Sequence, residues 1–325
     1  MTSEPHPLST PDGWRLALRR TLWPEGHRAA PVKGLPVLVV PGYGMNARLF
    51  ETRVQGRSFL DALAEAGFDG WTLDFRGQGE SCPDEERTGP TGPCGLKEYA
   101  FVDLKAAVEH VCAVTAHPRL VAVGCSLGGS LILAYAARFG TDRLERFVGV
   151  GAPLFMEQPG ALVRAVGVAG PALAVLPVRG TRTLAAFGLP LAARYAKKPL
   201  SIYLHPDHVD LSQPDRLARV VENPDRRVNA EIGRWIRTGR LVVDGLDVAE
   251  ALRGRTLRTL VVVALDDGIV NPASARSVVR VLGEHQVDEI EVGGPEAPFG
   301  HADLFLSEHS DRAVFQPVIA WLKRS

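Results

Sequence analysis

Short runs of consecutive apolar residues, each followed by a segment with helical spacing, set the rhythm of this chain. Residues 37–40, 120–123 and 147–150 are strand-length and apolar, with many β-branched residues, the pattern of strands buried on both faces, and FDGWTLDF at 68–75 reads as a further strand. Between them, residues 58–66, 98–115 and 131–137 read as helices, with Phe101, Leu104, Val108 and Val111 marking one face of the second. The alternation stops over residues 153–252. It resumes with a strand at 259–265, a helix around 273–282, a strand at 287–292 and a final helix at 312–323. Strands alternating with helices predict the α/β class, a mostly parallel sheet with helices on both faces. Residues 14–23 read as an edge strand, and the polar, proline-bearing residues 1–12 as loose chain.

The interruption predicts an inserted helical cap, dividing the chain into core residues 1–152, a cap or lid at 153–252, and core residues 253–325. The cap's first part, 161–195, is rich in Ala, Leu and Val with Gly and Pro breaks, which suits short apolar helices. Its second part, 207–241, is more charged and reads as a supporting helical piece.

Composition narrows the class only a little. The 325 residues are 46% hydrophobic and 23% charged, ordinary for a globular chain with a substantial core. Formal net charge is zero and the 31 arginines form no basic block, so nothing in the whole-chain balance favours nucleic acid or an acidic membrane surface. Four cysteines, at 82, 94, 112 and 125, show no metal-ligand spacing, and only Cys82 and Cys94 share a loop. With no signal-peptide pattern at the N-terminus, a reduced, cytoplasmic setting is expected. No run of 18 apolar residues predicts a transmembrane span.

The chemistry concentrates where the strand at 120–123 meets the helix at 131–137. The link is Gly124-Cys125-Ser126-Leu127-Gly128, a G-x-S-x-G string in strand-turn-helix context. A serine there stands at the tip of a strained turn and at a helix N-terminus, where free N–H groups favour developing negative charge. The flanking glycines keep strand and helix backbones from colliding.

Other stretches join this one: Pro41-Gly42-Tyr43-Gly44, the run LDFRGQGES at 73–81, ALDDGIVNP at 264–272, and Gly300-His301. Together they resemble the α/β-hydrolase superfamily over nearly the whole chain. PGYG is similar to the oxyanion turn, with Pro41 where a histidine is usual, and LDFRGQGES to the D-x-R-G-x-G-x-S loop. The resemblance implies a triad in the order Ser, Asp, His. Ser126 is then the nucleophile. Asp267, directly before Gly268, is the preferred acid over its neighbour Asp266, although either could instead cap the turn. Of the late histidines, His285 falls at a helix end and His309 in a polar stretch, which leaves His301 as base. The N–H groups of Leu127 and Tyr43 are the expected oxyanion donors. An acyl chain would run beneath Leu173, Leu176, Leu184 and Phe187 of the cap.

Within the superfamily, PGYGMN, WIRTGRL and HADLF, the last a GH-x-D variant, are similar to acid-lipase-like and polyhydroxyalkanoate-synthase-like members. Those synthases carry cysteine at the elbow. Here the glycine frame puts Ser126, not Cys125, at the tip, which implies hydrolysis. Epoxide hydrolases and haloalkane dehalogenases of this fold need an aspartate there. The resulting expectation is a lipase- or esterase-like carboxylic ester hydrolase. It needs no cofactor and no metal, and takes a small ester with an apolar acyl group. The alternatives are an acyltransferase on the same triad and a non-catalytic binding member of the fold.

Overall fold

The computed structural model of the protein describes residues 2–22, 34–86, 89–173, 180–223 and 225–324. Eight strands form the main sheet: β1 (Thr2–Pro5), β2 (Leu18–Leu22), β3 (Pro36–Val40), β4 (Asp69–Leu73), β5 (Leu120–Cys125), β6 (Leu144–Val150), β7 (Thr259–Ala264) and β8 (Val287–Val292). Their order is β1-β2-β4-β3-β5-β6-β7-β8. From β4 to β8 every neighbouring pair is parallel, and β1 and β2 are antiparallel to their neighbours. The longer helices are α1 (Phe59–Glu65), α2 (Leu104–Thr115), α3 (Leu127–Phe139), α4 (Ala161–Leu173), α5 (Thr181–Tyr195), α6 (Arg226–Thr238) and α7 (Gln316–Leu322).

The pleat sends alternate residues of each strand to opposite faces, and both faces are covered. Leu38, Val40, Ala122, Val261 and Val263 join α2 and α3 in one core. Val37, Val39, Val121, Val123, Leu260 and Val262 join α1 and α7 in the other. This is why the strands read as unbroken apolar runs. Helix α1 begins on a capping box, in which Ser58 accepts from Asp61 N–H and the Asp61 carboxylate accepts from Ser58 N–H.

Residues 2–9 differ from the expectation of loose chain. Thr2–Pro5 pairs with Leu18–Leu22 and takes the sheet edge, and Leu8–Ser9 pairs with Trp14–Leu16. All four side chains of β1 are exposed, so the strand rests on backbone pairing and carries no hydrophobic pattern to read. The expected single strand at 14–23 is two pieces, and the expected helix at 273–282 is two short ones, Pro272–Ala275 and Val279–Leu282. Between β6 and β7 the chain leaves the sheet and forms α4, α5 and α6. Its last helical piece, Val248–Leu252, turns back into the core beside α3.

The loop after β4 is built on two buried ion pairs. Asp74 accepts from Arg19 at 2.8 Å and from Ala47 N–H at 2.7 Å. Arg76, with a side chain fully removed from solvent, donates Nη2 to Asp103 at 2.7 Å and Nη1 to Asp12. Ser81 closes the turn by donating to the Asp74 carbonyl at 2.6 Å. The charged positions of LDFRGQGES thus hold the N-terminal strands, the 47–51 turn and the α2 segment together. Asp103→Ala, which leaves the Arg76 guanidinium short of its main partner, is expected to lower unfolding free energy in urea by about 3–5 kcal/mol. Adding Arg76→Met should recover most of that loss. Wild-type stability in the single variant would remove the pair from this role.

Candidate active site

Ser126 sits between β5 and α3 with φ 50° and ψ −122°, a left-handed conformation that a non-glycine residue adopts only under constraint. The constraint is visible in its surroundings. Ser126 N–H donates to Val150 O on β6 at 2.9 Å, and its carbonyl accepts from Gly129 N–H at 3.0 Å. A Cβ on Gly124 would press into the Gly129 backbone, and one on Gly128 would lie 2.6 Å from Val40 O. Strand, turn and helix therefore cross at a separation that only glycine permits.

Asp267 follows β7. Its Oδ1 accepts from Ile269 N–H and Val270 N–H, both at 2.8 Å, which fixes the carboxylate. Its Oδ2 lies 2.6 Å from His301 Nδ1, and both residues are buried. An ionised carboxylate only accepts, so Nδ1 carries the proton and a neutral His301 keeps Nε2 as its acceptor. Asp266 is exposed and turned elsewhere. Its carboxylate accepts from Phe299 N–H at 3.3 Å and its own N–H donates to Phe299 O at 3.2 Å, tying the acid loop to the histidine loop.

Ser126 and His301 line one cavity of about 320 Å³ with Gly42, Tyr43 and Leu127. Leu127 is the first residue of α3, so its N–H has no partner within the helix. Gly42 packs against the serine: a Cβ there would stand 3.1 Å from Ser126 Cβ. The Tyr43 hydroxyl donates to Asn229 on α6 and joins this turn to the segment above it. Cys125 is on the buried side of the strand, and burial, reinforced by Asp267, pushes its thiol up to about 12. It therefore stays a protonated thiol, a poor nucleophile.

The apolar wall of the cavity comes from α4 and α6, through Leu162, Val163, Val166, Ile232, Trp235 and Ile236. Two of the four residues expected from sequence take no part in it. Leu184 and Phe187 are 71% and 78% exposed and line no part of it, because α5 turns their face outward. Leu176 and the side chain of Leu173 lie outside the described residues.

Sequence reasoning also missed a clasp. Residues 201–205, from the segment between β6 and β7, run between the acid and histidine loops. Ile202 O accepts from Gly268 N–H at 3.0 Å, and Tyr203 O accepts from Ala302 N–H at 2.8 Å. Asp303 is fully buried and gathers the rest: its carboxylate accepts from Gly300 N–H at 2.7 Å and His205 N–H at 2.9 Å, and lies 2.7 Å from His205 Nδ1. A Cβ on Gly300 would meet Ser201 O and Tyr203 O at 3.0 Å, so the clasp lies directly on the loop. Tyr203 faces the cavity with its ring 6.4 Å from that of His301. The signal in sequence was Asp303 itself, an acid two residues beyond the histidine in an otherwise apolar stretch.

A sequence model of the α/β hydrolase fold matches residues 36–302. Solved structures are similar over nearly the full length. A thermophilic esterase from Thermogutta terrifontis is 19% identical, with 98% of each chain covered and a TM-score of 0.60. An esterase from Exiguobacterium antarcticum is 16% identical, covering 98% of this chain and 99% of its own, with a TM-score of 0.63. An enol-lactonase from Burkholderia xenovorans is 18% identical, covering 97% of this chain and 100% of its own, with a TM-score of 0.60. No curated protein matches the sequence.

Asp303→Asn keeps the volume but supplies one carbonyl acceptor in place of a carboxylate. It should cost about 1–3 kcal/mol in a urea melt and lower activity although Ser126, Asp267 and His301 are all retained. Stability and turnover both equal to wild type would show that the clasp does not depend on this carboxylate.

Proposed function

The chain belongs to the α/β-hydrolase fold family, and from that premise we propose that it is a serine hydrolase cleaving carboxylic esters with apolar acyl groups. The observation that carries the reading is the buried His301–Asp267 pair, 2.6 Å apart, with His301 in the wall of the cavity that the strained Ser126 also lines. A serine hydroxyl is a weak nucleophile near neutral pH and needs a base held in one tautomer. His301 Nε2 takes the Ser126 proton as Oγ attacks the ester carbonyl, and Asp267 stabilises the imidazolium that forms. The Leu127 and Tyr43 N–H groups receive the oxyanion. His301 then returns the proton to the leaving alcohol, and a water, activated by the same histidine, releases the acid.

The apolar wall supports an apolar acyl chain, and the cavity's 320 Å³ is near the lower end for ligand pockets, which favours short to medium chains. The esterase and lactonase activities named for the similar structures support ester chemistry. The segment between β6 and β7, expected from sequence as 153–252, is then the cap over the nucleophile.

Ser126→Ala should lose roughly 10³-fold or more of turnover and all labelling by a fluorophosphonate probe. Cys125→Ala should keep most of both. Labelling that survives in Ser126→Ala would move the nucleophile elsewhere.

With p-nitrophenyl esters of graded length, each methylene buried under Val163, Ile232 and Ile236 should contribute about 0.8 kcal/mol, or about fourfold in kcat/KM, until the cavity is full. A flat profile from acetyl to octanoyl would dismiss the apolar-acyl assignment while leaving the serine chemistry to the labelling result.

A further inference from the structure

Helix α5 presents its large apolar residues to water. Leu184, Phe187, Leu191 and Tyr195 recur at spacings of three and four, so they share one face, and they are 71%, 78%, 61% and 70% exposed. The half-buried positions of the same helix are eight, mostly small residues: Thr181, Ala185, Ala186, Gly188, Leu189, Pro190, Ala192 and Ala193. A helix that packs on a core normally does the reverse. On α4, Leu162, Val166 and Val168 are 55%, 42% and 73% exposed, and Leu162 and Val166 also form the wall of the Ser126 cavity. A row of large apolar side chains exposed along one helix face, as on α5, marks a place where something docks.

The charge in the same segment is one-sided. Between Glu157 and Asp207 the sequence has no acidic residue and six Arg or Lys. The zero net charge of the whole chain hides this, because the excess is offset elsewhere. Arg182 pairs with Glu222 and Lys197 with Asp207, outside the segment. Arg164, Arg194 and Lys198 form no ion pair among the described residues. The Arg194 guanidinium lies 5.3 Å over the Tyr195 ring, at the edge of the apolar stripe.

We infer that the outer face of α5, with Leu162, Val166 and Val168 of α4, docks on an anionic lipid bilayer. Aromatic and aliphatic side chains flanked by cations match that surface: the apolar groups enter the acyl boundary while Arg and Lys meet phosphates. A second copy of this chain fits poorly, since both sides of a twofold contact would bring the same excess of cations and no acid from this segment to pair with it. The cores of protein interfaces are also depleted in lysine. Docking in this way brings the mouth of the cavity, at Leu162 and Val166, to the membrane. The inference goes beyond ester hydrolysis and does not depend on it.

The test is flotation of the full-length protein with phosphatidylcholine vesicles, with and without phosphatidylglycerol. Binding is expected only with the anionic lipid and should weaken as salt is raised. Arg194→Glu/Lys198→Glu should weaken it roughly thirtyfold or more, from about 1 kcal/mol for each basic residue near the surface. Leu191→Glu/Tyr195→Glu should abolish it. Both variants should keep the wild-type melting temperature, which separates lost docking from lost folding. Absence of binding to either vesicle, or equal binding by the variants, would overturn the inference. So would a concentration-dependent dimer that Leu191→Glu/Tyr195→Glu disperses, which would give the face to a second copy.

Discussion

The crossing of β5 and α3 at Ser126 is the constraint on which the rest of the site depends. The strand must end and the helix begin within one residue, and the two backbones then pass at glycine-only separation. Gly124, Gly128 and Gly129 permit it, and Val150 O and the Ser126 carbonyl hold it by hydrogen bonds. The energy stored in the positive φ of Ser126 is small beside the two cores that clamp the sheet from either side. The strain can persist because the scaffold is over-determined, and the hydroxyl stands at the cavity as a result.

A second layer of order comes from the long segment between β6 and β7. It touches the site from two sides. Residues 220–222 bond to the Gly44 and Asn46 backbone at the Pro41–Gly44 turn, and residues 201–205 bond to the loops that carry Asp267 and His301. The same segment supplies the apolar wall through α4 and α6. One stretch of chain therefore shapes the pocket and braces the loops that carry the charged groups.

The legible parts of the sequence were those where a local rule decides the outcome. Buried parallel strands need unbroken apolar runs, and the runs at 37–40, 120–123 and 259–264 are where the strands are. An elbow needs glycines at fixed offsets, and a turn after a strand needs a residue such as Asp267 that can bond its own backbone. The illegible parts depend on partners distant in sequence. Strand β1 has four exposed side chains and exists through pairing with β2. Asp303 is understood only with His205, ninety-eight residues away. Leu184 and Phe187 show the limit in another form: apolar content and spacing reveal that a helix has an apolar face, but not which way that face is turned.

The clasp also bears on the order in which the molecule can be completed. Residues 201–205 are made before Gly268, Gly300 and Asp303, and the later residues fasten onto them. During synthesis the earlier strands and the long segment can already be in place when the last part of the chain emerges. That last part, carrying both Asp267 and His301, then folds against a template rather than in isolation. Asp267 and His301 thus come into register only once residues made after the clasp have joined it, and until then the serine turn stands without them.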